Sequence, residues 1–178
     1  MTLAIRRRSW CVVFQLFPGQ SPKIHMLAQF LKIAIAFAML SFPLATHAKE
    51  PQKGLPTMTI SVGGQTVRVD VAMTDATREK GLMFREKMGK NEGMLFVFSY
   101  LGYHAMWMRN TPLPLSVAFM DDAGKILSIH DMEPFSDAFH QSAGPARFAL
   151  EMNKGWFAAH RLKPGDSIKG LEKAPKPQ

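Results

Sequence analysis

The sequence predicts a mainly β fold: a single compact β-barrel or sandwich with one or two short helices. Three observations carry this prediction. Apolar residues alternate with polar ones at Met58, Ile60 and Val62 and again at Val67, Val69 and Val71, the period of half-buried strands. Turn signals separate the runs, at Gly63-Gly64, at Asp121-Asp122-Ala123-Gly124 and at Pro164-Gly165-Asp166, as in all-β domains with short strands. The 178 residues are 47% hydrophobic, enough for one packed domain preceded by a leader and too few for two full domains.

Taken in order, residues 1–48 read as an export leader. They carry Arg6, Arg7, Arg8, Lys23 and Lys32 and no acidic residue. From Met26, which reads as the natural start, the pattern is that of a signal peptide. One lysine precedes an apolar stretch over 33–44, and the segment closes on Thr46-His47-Ala48. That stretch falls short of the roughly 20 residues needed to span a bilayer, which favours a cleaved leader and a periplasmic location. An uncleaved inner-membrane anchor starting near Leu27 is the alternative. Residues 49–56, with two prolines, read as a linker.

The domain is expected over 57–170. Its first two strands flank Gly63-Gly64, a pair suited to a tight hairpin turn. Residues 74–80 predict a short helix, with Thr74 or Asp75 as N-cap and Gly81 as its stop. The run 94–98 has strand length, and 104–109 alternates. The runs 115–120 and 126–132 flank the second turn and predict another hairpin. Another strand is expected over 147–152, one or two helical turns over 155–162, and a last short strand at 167–168. Residues 171–178 read as a frayed tail.

Charge and cysteine content exclude several classes. The net charge is +8, but the leader contributes +5, and the remaining 17 basic residues face 14 acidic ones. The basic character therefore belongs to targeting and gives no reason to expect nucleic acid as a partner. Cys11, the only cysteine, lies in the leader. A processed protein without it has no disulfide, thiolate metal site or cysteine nucleophile. No G-x-S-x-G, H-E-x-x-H, P-loop or dinucleotide glycine pattern is present. An enzymatic reading rests on carboxylates alone: Asp121, Asp122, Asp131, Glu133 and Glu151 contain the acid–base pair that a hydrolase of envelope carbohydrate would need.

The most distinctive stretch runs from Gly81 to Thr111. It contains Gly81-Leu82-Met83 with Arg85, then Gly93-Met94-Leu95-Phe96 with Phe98, then Trp107-Met108-Arg109-Asn110-Thr111. Pro114-Leu115, the turn ending at Gly124, Ala149-Leu150-Glu151 and Pro164-Gly165-Asp166 follow in order. This series resembles the signature of DUF192, a bacterial family of unknown function, across about 58–168. The resemblance implies a compact β-rich domain, commonly exported, and transfers no catalytic residue. The chain departs from the pattern at Met106, where phenylalanine is usual, at Ser116, where aspartate is frequent, and at Arg109, where lysine is frequent.

Polar residues among these apolar blocks are the candidate ligand site: Arg85, Trp107, Arg109, Asn110 and Glu151, with Asn153 beside them. Trp107 would offer a stacking face, and the arginines a fork for an anionic or hydroxyl-rich ligand. The structural alternative pairs Arg85 with Glu151 and uses Asn110 to satisfy backbone groups. His104, Met106 and Met108 share one strand face on a period of two. Such soft ligands suit Cu(I) or Ag(I), although methionines on a strand also serve as packing. The reading is thus an exported, monomeric, non-catalytic binding or accessory module for a small-molecule or glycan ligand. It needs no cofactor and touches membrane only through its leader. A hydrolase and a periplasmic Cu(I)/Ag(I)-binding protein are the alternatives.

Overall fold

The computed structural model describes residues 49–177. The expected leader and Cys11 lie outside them. Strands β1 (Thr57–Val62) and β2 (Gln65–Ala72) form the first hairpin. Gly63 and Gly64 both take positive φ, 57° and 77°, the type I′ turn geometry that matches strand twist. Helix α1 (Asp75–Lys80) follows. The Thr74 hydroxyl accepts from the Thr77 amide and the Thr77 hydroxyl accepts from the Thr74 amide, a reciprocal capping box. Gly81 ends the helix with φ 46°.

The helix connects β2 to β3 (Glu92–Gly102), which run parallel. Beyond β3 come the two-residue β4 (Ala105–Met106), β5 (Leu115–Met120), β6 (Ile126–Met132), the two-residue β7 (His140–Gln141) and β8 (Ala146–Asn153). Helix α2 (Trp156–Ala159) and a 3₁₀ turn (Leu171–Lys173) complete the chain. The main sheet has the order β1-β2-β3-β8-β5-β6, and β4 pairs with β7 apart from it. The architecture is therefore mainly β, a six-stranded sheet with two short helices. Its strands do not close on themselves. The segment 166–169 nevertheless bonds at both edges, through Ser61 and Lys169 on β1 and through Ile126 to Asp166 on β6.

Alternation divides the sheet into two buried faces. Leu95, Val97, Ala118, Leu150 and Met152 join the first cluster, which Trp156, Phe157, Ile168 and Leu171 cover. Met94, Phe96, Phe98, Val117, Phe119 and Ala149 join the second, with Leu82, Met106, Met108 and Leu113. Irregular chain covers much of that second face, and Phe84 and Asn110 there hold left-handed φ of 63° and 56°.

Four expectations differ in extent. Only Ala105–Met106 of the alternating run 104–109 is strand, because its sole partner, β7, is itself two residues long. The expected last strand at 167–168 is a pair of isolated bridges. Leu171, expected in the tail, is buried in the first cluster. Gln52, in the expected linker, donates its amide to the Thr77 and Gly81 carbonyls at 3.1 and 2.7 Å.

Candidate functional site

Strand β3 breaks register with β8 after Val97, and residues 98–101 stand opposite Arg147 alone. This wide bulge pushes Tyr100 and Leu101 into solvent and is tied back by the Arg147 guanidinium, which donates to the Phe98 carbonyl at 3.2 Å. Bulges re-aim side chains in this way next to functional sites. Between the bulge, α1 and β4 lies a cleft of about 330 Å³. Its walls include Arg78, Phe96, Tyr100, His104, Met106 and Trp107. Small-ligand sites begin at about this size and are lined in this apolar and aromatic manner.

A second, smaller cavity of about 20 Å³ shares Arg78, Glu79, Phe96, Met106 and Trp107 with the cleft. Leu82, Thr111 and Glu151 complete the part that matters here. Glu151 is central to the site. It stands on β8 directly between Met94 of β3 and Val117 of β5 and is only 3% exposed. No side-chain hydrogen bond or ion pair to Glu151 occurs among the described residues. Burial in apolar surroundings pushes its carboxyl up to about 8, so it carries a proton at neutral pH. Gly93, on the opposite face, makes room for Met152: a Cβ there would stand 2.5 Å from the Met152 sulfur and from the Glu151 main-chain oxygen.

Trp107 and Glu151 thus meet at one cavity, whereas the other candidates are engaged elsewhere. The Arg85 guanidinium pairs with Asp70 at 2.6 Å beside Arg68 and Glu92, so its carboxylate partner is Asp70 and not Glu151. Arg109 lies over the Trp107 ring at 4.0 Å from its centroid and donates Nε–H to Asp137 at 2.8 Å. Phe139, 70% exposed, stacks against the same indole at 5.6 Å. The Trp107 face is therefore shared with side chains of its own domain. Asn110 accepts the Phe84 amide at 2.8 Å through its carbonyl and lines a separate recess with Phe84, Pro112 and Phe135. Asn153 donates to the Gly89 carbonyl at 2.9 Å.

Of the soft-ligand set, His104 and Met106 line the cleft and Met108 is fully buried in the second cluster. The His104 ring stacks on Phe98 at 3.7 Å with 9° between planes, and burial lowers its pKa against the opposing effect of its contact with the Tyr100 carbonyl. Among the described residues, no three His, Cys, Asp or Glu side chains are grouped to hold a metal ion. No described helix is long and apolar enough to cross a membrane.

Arg78 is the cleft residue that sequence reasoning missed. Its guanidinium donates to the Met73 and Val97 carbonyls at 2.6 and 2.8 Å and pairs with Asp75. The only sequence signal was the Asp75–Arg78 spacing of a helical ion pair, which says nothing of the carbonyls that hold it.

Comparison with known proteins places the chain among uncharacterised relatives. No curated protein matches it. A crystal structure from Sinorhizobium meliloti 1021, described as that of a candidate transcription regulator, is similar at 34% identity and TM-score 0.62, covering 67% of this chain and 98% of that one. A protein of unknown function from Novosphingobium aromaticivorans DSM 12444 is similar at 34% identity and TM-score 0.63, covering 69% and 91%. The DUF192 family profile, described as an uncharacterized ACR, matches residues 58–170; the chain belongs to the DUF192 family.

Proposed function

We propose that this domain is a non-catalytic binding module whose ligand occupies the cleft between α1, the β3 bulge and β4. The observation that carries the reading is the buried Glu151 carboxyl, which has no side-chain hydrogen-bond partner among the described residues and lines a small cavity that shares five residues with the cleft. Buried polar groups normally have partners, so a carboxyl without one, facing a cavity, fits a group reserved for a visitor. The ligand is a small uncharged molecule of the cell envelope, such as a glycan fragment, for which the exposed rings around the cleft provide apolar contact. Export rests on the leader-like segment from Met26 to Ala48, and sequencing the N-terminus of protein recovered from the periplasm would give Lys49 if the leader is removed there. The bonds from 166–169 to both sheet edges support a barrel-like closure.

Nuclear magnetic resonance of the indole N–H of Trp107, assigned with Trp107→Phe, tests the binding reading. Titration with N-acetylglucosamine or glucose is expected to move that signal in a saturable way. A signal unmoved by either sugar contradicts the reading.

A hydrolase of envelope carbohydrate is the second reading, because Glu79, which lines the cleft, also lines the small cavity with Glu151, and a pair of carboxyls is what glycoside hydrolysis needs. It requires release of aryl alcohol from aryl glycosides, abolished in Glu151→Gln and Glu79→Gln.

A further inference from the structure

We propose that the small cavity over Glu151 is the specificity pocket of the cleft, and that the Glu151 carboxyl receives a hydroxyl group at the tip of the ligand. This assignment rests on the binding reading above and adds which atom of the ligand is recognised and by what.

Size gives the first argument. A cavity of about 20 Å³ exceeds the one probe sphere that admits a water and leaves little beyond it. It accepts one or two non-hydrogen atoms and no sugar ring or carboxylate. The ligand body therefore stays in the cleft of about 330 Å³ and only a substituent enters the small cavity, which shares Met106 and Trp107 with the cleft.

Chemistry gives the second. Phe96, Leu82 and Met106 line the pocket, and Met94 and Val117 flank Glu151 on its neighbouring strands. Such walls disfavour a charged tip. The charged residues lining the pocket are Arg78, Glu79 and Lys80, all on α1. Arg78 is fixed on two backbone carbonyls and Asp75, so the guanidinium adds a fixed positive charge against a cationic tip. An anionic tip would need that guanidinium free. An uncharged carboxylic acid both donates and accepts, the complement of a hydroxyl. Thr111, buried with its hydroxyl on the Arg109 carbonyl at 3.3 Å, lines the same pocket.

Third, the carboxyl carries a cost in stability. A carboxyl whose protonation is forced by burial weakens the fold as pH rises, and an apolar residue between Met94 and Val117 would avoid this. The same cost would attend a carboxyl with no ligand, and the test separates the two cases.

The experiment titrates the full exported domain with glucose, glycerol, methylammonium and acetate while observing the Trp107 indole and the ¹³C-methyl of Met106, which borders both spaces. Glucose and glycerol are expected to move both signals, and methylammonium and acetate neither. Glu151→Met, isosteric and apolar, is expected to weaken glucose about tenfold, the loss of one hydrogen bond. Glu151→Gln keeps a donor and an acceptor and is expected to stay within about threefold of the natural protein, and to lack the fall in affinity expected of the natural protein as pH passes about 8. Dispersed spectra and unfolding curves establish that each variant is folded. Glucose binding unchanged in Glu151→Met would overturn the assignment while leaving the cleft as the binding site. Methylammonium binding that strengthens with pH would overturn it in favour of a cation pocket. No response to any probe would overturn both readings.

Discussion

On one side of the sheet, Leu95, Leu150 and Met152 pack beneath Trp156, Phe157 and Ile168; on the other, the same strands present Phe96, Ala149 and Glu151 to irregular chain. The strands are shared, so the difference lies in what covers them. The first face is covered by a lid of apolar side chains. The second carries the Asp70–Arg85 pair, the uncharged Glu151, two left-handed non-glycine residues and the cleft. Both faces bury apolar clusters, but only the second sets charged and polar groups among them at the cleft.

Substitutions on each side of the sheet test this difference. The largest effect is expected from Phe157→Ala, since Phe157 is 1% exposed at the centre of the first lid. It should cost about 3–5 kcal/mol in urea unfolding, and a cost below about 1 kcal/mol would mean that the lid does not stabilise the domain. Arg85→Ala, on the second face, should cost about 1–2 kcal/mol by leaving the partly buried Asp70 without its donor. Asp70→Asn should recover part of that loss in the double variant, and additive losses would deny the pairing. Thr74→Ala removes one half of the capping box that fixes α1 over the cleft and should cost about 1 kcal/mol. Arg109→Ala loses its stack on Trp107 and its bond to Asp137, both at the surface, and should cost less than about 1 kcal/mol. The Trp107 fluorescence should change all the same; an unaltered spectrum would deny the stack.

Much of the first face was legible in the sequence. The alternating valines of β2, the glycine pair before them and the Asp121 turn are local signals. The Asp121 side chain indeed accepts the Ala123 and Lys125 amides at 3.0 and 2.8 Å. The helix and its Thr74 cap were legible for the same reason. The second face was not, because its character depends on residues far apart in the chain. Glu151 has apolar residues on both sides because β8 lies between β3 and β5, which sets Met94 and Val117 beside it. Arg85 meets Asp70 only through the parallel pairing of β2 and β3 around the helix. A two-residue strand such as β7 has no periodicity of its own; it exists because Met106 pairs with His140. The sequence drew attention to Trp107, Arg109 and Glu151 together, but Phe139, which stacks on the indole, comes from beyond the β5–β6 hairpin.

The central claim is that Glu151 lies buried and uncharged on the second face. Its folded pKa, about 8, stands above the ordinary 4.5. The folded state therefore holds the proton more tightly, and stability due to this group is complete below about 4.5 and is lost as pH rises toward about 8. Denaturant unfolding of the natural protein and of Glu151→Gln across pH 4 to 9 tests this directly (a range of about five units, set by the linkage). The account predicts that the variant gains on the natural protein by up to about 1.4 kcal/mol per pH unit within that window, with no further gain above it. Two curves that stay parallel from acid to alkaline pH would contradict it.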